Sequence, residues 1–198
     1  MMIYSLNSKF NSMGIGKLAG LFFISLNMLG CTPTKKLYRN GDSSRISSQQ
    51  LNDTTFDDLK KYLTSITNAE LKDTIIIKYD YNNETCWDEL DKRDDDNVKP
   101  FITANQERVK SLLMLRKKVS IFAFREPGDK FNKIKKWDKS IIIDSDKYLF
   151  NLLFKERSIC GNSIIVLPDR RYVFVRSDSH SEAMEYSQEK IIELLTKQ

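Results

Sequence analysis

Ser163-Ile-Ile-Val-Leu-Pro-Asp-Arg-Arg-Tyr-Val-Phe-Val175 is the stretch whose reading decides the fold class. Two short runs rich in β-branched and aromatic residues, 163–167 and 171–175, flank Pro168-Asp169-Arg170, which is a hairpin signal of the short-loop kind. A hairpin is antiparallel. Upstream of it, Thr74-Ile-Ile-Ile-Lys-Tyr79 reads as a buried strand, and so does Val119-Ser-Ile-Phe-Ala-Phe124, stopped by Pro127-Gly128. Ser140-Ile-Ile-Ile143 is a further short extended run. Strands separated by helices pair in parallel, so a mixed sheet covered by helices, of the α/β class, accommodates both kinds of pairing.

The intervening segments carry the helical period. Phe56, Leu59, Leu63 and Ile66 recur at three- and four-residue spacing from a start near Asp53-Thr54, with Asp57 and Asp58 expected in the first turn, where the helix dipole favours negative charge. Cys86 to Leu90 reads as a helix start, interrupted by the turn-like Asp94-Asp-Asp-Asn97 and by Pro100. The spacing of Ile102, Val109, Leu112 and Leu113 predicts a helix over 102–117. Tyr148 to Phe154 is apolar nearly all round, which suits a helix packed on both sides. An amphipathic helix with Met184, Ile191, Ile192 and Leu195 on its buried side ends the chain.

Residues 1–30 differ in kind. They contain Lys9 and Lys17 but no acidic residue, and the apolar run from Leu18 ends in Leu29-Gly30-Cys31. A basic start, a short apolar stretch and a small residue before the cut describe a secretory signal; the run is too short to span a bilayer. A small residue and then a cysteine at the end of that run resembles the lipobox of bacterial lipoproteins. The resemblance implies that Cys31 is acylated and becomes the new N-terminus. Asn27 is more polar than that family usually carries there. No acidic run follows Cys31, so the expected location is the cell envelope, on the periplasmic side of the outer membrane. Residues 31–52 are polar without apolar period and read as a flexible tether, leaving 53–198 as the folded domain. Acylation of Cys31 would leave Cys86 and Cys160 as an even pair in an oxidising compartment.

Charge excludes one class of partner. The chain has 32 Lys+Arg and 27 Asp+Glu; removal of Lys9 and Lys17 leaves 30 against 27, mixed along the sequence. Nucleic-acid binding is not implied, because it needs a concentrated basic face. The one dense basic stretch, Lys130 to Trp137, reads as a solvated loop. His180 is the only histidine, and capping or plain exposure at the start of the last helix is its expected role. One histidine and two spare thiols do not make a zinc site. Asp94-Asp95-Asp96 lacks the alternating ligands and turn glycine of a calcium loop. Asp144-Ser-Asp146 is expected to cap a helix at Lys147. No cofactor and no metal is expected.

The element order (helix, strand, helix, strand, helix, hairpin, helix) is similar to the thioredoxin fold over roughly 54–197, with an extra N-terminal helix. In Tyr81-Asn-Asn-Glu-Thr-Cys86-Trp-Asp-Glu89, Cys86 falls where the family has its first, nucleophilic cysteine, and Glu89 takes the place of the second. Gly161-Asn162-Ser163 fits the loop before the third strand, with Asn162 where the family has a cis-proline. Without a resolving thiol at position 89 the usual dithiol exchange cannot close its cycle. The resemblance also makes the first-cysteine position and that loop neighbours, which would bring Cys86 and Cys160 together as a disulfide, structural or redox-active; two separate buried thiols are the other outcome. The reading that follows is a non-catalytic binding or structural module, held to the membrane by its lipid and serving a protein partner in the envelope. The alternative is a thiol–disulfide oxidoreductase using Cys86 with Cys160 or a partner's thiol.

Overall fold

The computed structural model describes residues 38–39, 41–68, 70–86, 90, 92–130 and 132–197. The signal stretch 1–30, the lipobox with Cys31, and Glu89 lie outside the described residues. Strands β1 (Ile46–Gln50), β2 (Thr74–Asp80), β3 (Val119–Arg125), β4 (Ile142–Ile143), β5 (Asn162–Val166) and β6 (Arg171–Val175) form one sheet in the order β1-β6-β5-β2-β3-β4. β2 pairs in parallel with β3 and antiparallel with β5, and β5 and β6 form the antiparallel hairpin. The inner part, β6-β5-β2-β3, is a thioredoxin-like mixed sheet.

β2 lies inside the sheet with both faces covered, and its apolar run Ile75-Ile76-Ile77 supplies both sides. Ile75, Ile77 and Tyr79 face one core with Ile164, Val166, Phe124 and Phe154. Helix α1 (Asp53–Thr67) lays Leu59 and Leu63 on that face, and the short α4 (Tyr148–Leu152) adds Leu149. Ile76, Ile165, Val173 and Val175 face the other way, onto Met184 of a 3₁₀ turn (Glu182–Glu185) and Ile191 of α5 (Gln188–Thr196). Helix α2 (Asp95–Leu115), which makes the β2-to-β3 crossover, adds Val109 and Leu112. Period-two alternation along β2 thus assigns each side chain to one of two cores.

Local chemistry explains most boundaries. Asn52 caps α1 by accepting from the Thr55 N–H at 2.8 Å, and Asn68 closes it in the left-handed region at φ 50°. Arg170, at φ 72°, completes the hairpin turn, whose Leu167 N–H donates to the Arg171 carbonyl at 2.9 Å.

Several expectations are corrected. The stretch 46–50 is an edge strand rather than tether, paired with β6 from Ile46 against Val175 to Gln50 against Arg171. Its Ser48 hydroxyl donates to the Leu194 carbonyl at 2.6 Å, so backbone pairing and a polar anchor hold a segment that hydropathy passes over. α2 begins at Asp95, not 102: Asp95 and Asp96 sit in its first turn, where the dipole favours them, and Pro100 is accommodated inside it. Lys130–Trp137 contains a short helix, α3 (Asn132–Trp137), whose Ile134 and Trp137 pack on Leu90, Val98 and Ile102. The helix expected over 148–154 stops at Leu152, leaving Phe154 buried beyond it. Of the helix start expected over 86–90, Cys86 lies in a turn and residues 87–89 lie outside the described residues. Met184 belongs to the 3₁₀ turn, and α5 starts later, capped by Ser187. Asp144 does cap α4, but through the Leu149 and Phe150 N–H groups at 3.2 and 2.9 Å.

Candidate functional site

β2 and β5 are antiparallel neighbours with Tyr79 opposite Asn162, so the loop leaving β2 and the loop entering β5 emerge at one end of the sheet. That register brings Cys86 and Cys160 together, and they are bonded in a disulfide across a sequence separation of 74, with Cα atoms 5.3 Å apart. The Thr85 N–H donates to the Ile159 carbonyl at 3.1 Å, a second tie between the same loops. Cys160 is 5% exposed, whereas Cys86 is half-buried. Cys86 lies in a turn, and residues 87–89 after it lie outside the described residues.

Beside the disulfide lies a cluster of buried charge. Gly161 follows Cys160, and a Cβ there would fall on the Asp80 carboxylate and the Lys78 ammonium and sit 2.7 Å from the Tyr79 carbonyl oxygen. Only glycine allows this approach. Lys78 Nζ is 3.1 Å from Asp80 Oδ1, and a guanidinium nitrogen of Arg125 is 3.4 Å from Asp80 Oδ2. Burial opposes ionisation of Asp80, but the two cations outweigh it and hold its carboxyl below the usual carboxylate range. Lys78 is 4% exposed; burial pulls its pKa down, yet Asp80 and Asp178 outweigh burial and raise it. Glu84, two positions before Cys86, is 1% exposed, and neither carboxyl oxygen has a hydrogen-bond partner among the described residues. Burial, and then the Asp80 charge, push its carboxyl up to about 8, so it is protonated at neutral pH.

Asn162, standing where the resemblance places a proline, is fully buried and spends its amide inside the molecule. Its Nδ2 donates to the Tyr81 hydroxyl at 2.8 Å and the Glu156 carbonyl at 2.9 Å. Its Oδ1 accepts from the Ser177 N–H at 3.0 Å and from the Ser158 hydroxyl. Nearby, Glu126 accepts from Arg157 and from the Asn82 N–H, which outweigh burial and hold its carboxyl down at about 2. These bonds fix both loops against the sheet.

A cavity of about 820 Å³ opens on the α2 side of the sheet. Val109, Leu113 and Met114 of α2 face Ile121 and Ala123 of β3 across it, and Lys78, Asp80 and Arg125 line its sheet wall. His180 is exposed in the turn before the 3₁₀ segment, where its carbonyl accepts from Arg108 at 3.0 Å; it caps no helix with its side chain. Asp94 to Asp96 flank the start of α2. Among the described residues no group of three or more His, Cys, Asp or Glu could hold a metal ion, and no helix is long and apolar enough to cross a membrane.

The buried charges were not singled out from the sequence. Their signal was present: Lys78 and Asp80 interrupt an otherwise apolar central strand, a place where charge is rare unless paired.

No family model and no curated protein matches this chain. Among solved structures it is similar to a secreted Mycobacterium tuberculosis disulfide oxidoreductase homologous to E. coli DsbE, with 9% identity over 58% of this chain and 82% of that one, at a TM-score of 0.36. It is also similar to MTB dsbF in its mixed oxidized and reduced forms, with 10% identity over 63% of this chain and 82% of that one, at a TM-score of 0.37. The thioredoxin-like architecture stands on the chain's own strand order and connectivity.

Proposed function

We propose that this protein is an exported, lipid-anchored envelope protein whose thioredoxin-like domain is a non-catalytic binding module, stapled rather than driven by its disulfide. The observation that carries the reading is the bond between Cys86 and the buried Cys160. The thiol that an exchange enzyme would present is tied to a sulfur that an attacking thiolate cannot easily reach. The inward commitment of Asn162 supports it further, because both donors of that side-chain amide are engaged within the molecule. Structural disulfides of this kind have potentials below about −300 mV. Native protein titrated in glutathione buffers should therefore keep the bond throughout, show no alkylatable thiol without denaturant, and fail to reduce insulin. A midpoint near −200 mV, or disulfide-linked partners captured by Cys160→Ser, would overturn the reading.

A second reading has its own support. Half-buried Cys86 near buried Glu84 and Lys78 and half-buried Asp80 is the sort of environment in which thiol chemistry is tuned. On that reading the pair is a redox couple, and Cys86→Ser abolishes activity. The glutathione titration separates the two.

The anchor rests on the lipobox-like Leu29-Gly30-Cys31. Membrane fractionation tests it: Cys31→Ser should release the protein into the soluble fraction and remove the acyl mass.

A further inference from the structure

We infer that the outer edge of β3 docks an extended, uncharged segment of a partner protein, added to the sheet as a further strand with apolar side chains in the cavity beside α2. This rests on the reading of the domain as a binding module and deepens it by naming what the module takes. It makes no use of the disulfide.

The edge is the first observation. β4 covers only the end of β3, pairing Ile142 with Phe124 and Ile143 with Arg125. Just after β4, the Asp144 N–H donates to the Arg125 carbonyl at 2.9 Å, so the backbone of Arg125 points outward. Backbone groups alternate sides along a strand. Ile121 and Ala123 therefore point outward too, while Ser120 and Phe122 turn toward β2. Among the described residues no strand lies beside β3 on that side from Val119 to Ala123. Natural edges are guarded by charge, proline or a covering element. Val119-Ser-Ile-Phe-Ala123 carries neither a charge nor a proline.

The cavity is the second. Ile121 and Ala123 of this edge line the space of about 820 Å³, together with Leu113 and Met114 of α2, which are 40% and 64% exposed. Strand addition takes its affinity from main-chain hydrogen bonds and its specificity from pockets for alternate side chains. An unpaired edge and an apolar space lie side by side here. Charge decides which segment fits. The charged groups of the wall are answered within the molecule: Asp80 and Asp178 act on Lys78, Asp80 also meets Arg125, and Arg108 pairs with Glu185 at 3.1 Å. Lys110 and Asp138 add one charge of each sign. A strand with uncharged side chains matches such a wall. A second copy of the chain fits less well. Antiparallel pairing of two β3 edges about Ile121 would set Lys118 of one against Phe124 of the other, the place that Ile142 already fills.

Amide hydrogen exchange on the mature chain from Cys31, read residue by residue by NMR, tests this. The probe is an acetylated, amidated hexapeptide of alternating valine and threonine, kept below the concentration at which it self-associates. In the free protein the Ile121 and Ala123 amides should exchange at least about tenfold faster than those of Ser120 and Phe122. Saturating peptide should slow the first pair at least about tenfold and leave the second unchanged. The same peptide N-methylated at every residue, which has no backbone donors, should not bind. Glutamate or lysine in place of its valines should weaken binding, and so should Leu113→Lys, which puts a charge at the exposed rim. Slow exchange at Ile121 in the free protein at every concentration would overturn the inference. So would no binding of the valine peptide, binding that leaves Ile121 unchanged, or equal binding of the N-methylated form. Protection that appears only as protein concentration rises would overturn it in favour of a second copy of the chain. The glutathione titration reads the disulfide alone, so either result can fail without the other.

Discussion

Glu84 concentrates the chemistry of the site in one side chain. Its carboxyl is raised to about 8 by burial and by Asp80, so the folded protein holds this proton far more tightly than the unfolded chain does. A group raised in this way contributes stability that is fully present below the ordinary carboxylate range and is lost as pH rises toward the folded value. Urea midpoints should therefore fall between about pH 5 and about pH 8.5, and Glu84→Gln should flatten that slope while leaving the acid side unchanged. A variant that keeps the full slope would show that another group carries it. Gly161 belongs to the same scale: its missing Cβ is what lets Lys78 and Asp80 lie against the loop that carries Cys160.

Among the elements, α2 departs most from what its sequence suggests. Its first turns contain Pro100, which lacks an N–H and crowds the carbonyl four residues back, yet the helix starts at Asp95 and runs through it. Val98 and Ile102, docked near Ile134 and Trp137, hold that end in place. Because the proline opposes the helix rather than shaping it, Pro100→Ala should stabilise the protein by about 1–3 kcal/mol in chemical denaturation. A loss of stability would mean that the proline itself is needed at this position. β1 teaches the complementary lesson. Ile46-Ser-Ser-Gln-Gln50 has no apolar alternation, and only the open edge of β6 makes it a strand. The hairpin and β2 were legible beforehand because their runs are apolar and sharply bounded. The short helix at 132–137 was not, since its apolar residues are too few to show a period.

For the molecule as a whole, the disulfide closes a loop of 74 residues between two parts of the sheet's end. Loop-closure entropy alone is worth about 4 kcal/mol at this length. Cys86→Ser and Cys160→Ser should each cost up to that amount and lower the thermal midpoint, while the sheet and its two cores persist. If either variant lost no stability, the cross-link would be doing something other than stapling.

The sequence by itself determined the mixed α/β architecture, because apolar periods of two and near four are local signals that survive without knowledge of neighbours. It also carried the lipobox-like stretch and the cysteine inventory. Only the tertiary structure decided that β1 joins the sheet, and that Gly161, next to Cys160, lies against Lys78 and Asp80, with Arg125 paired to the same carboxylate. The reason is physical. A charge in a strand is legible as unusual, but whether it is neutralised, protonated or left with open donors depends on partners that only the register of β2 against β3 and β5 brings within reach.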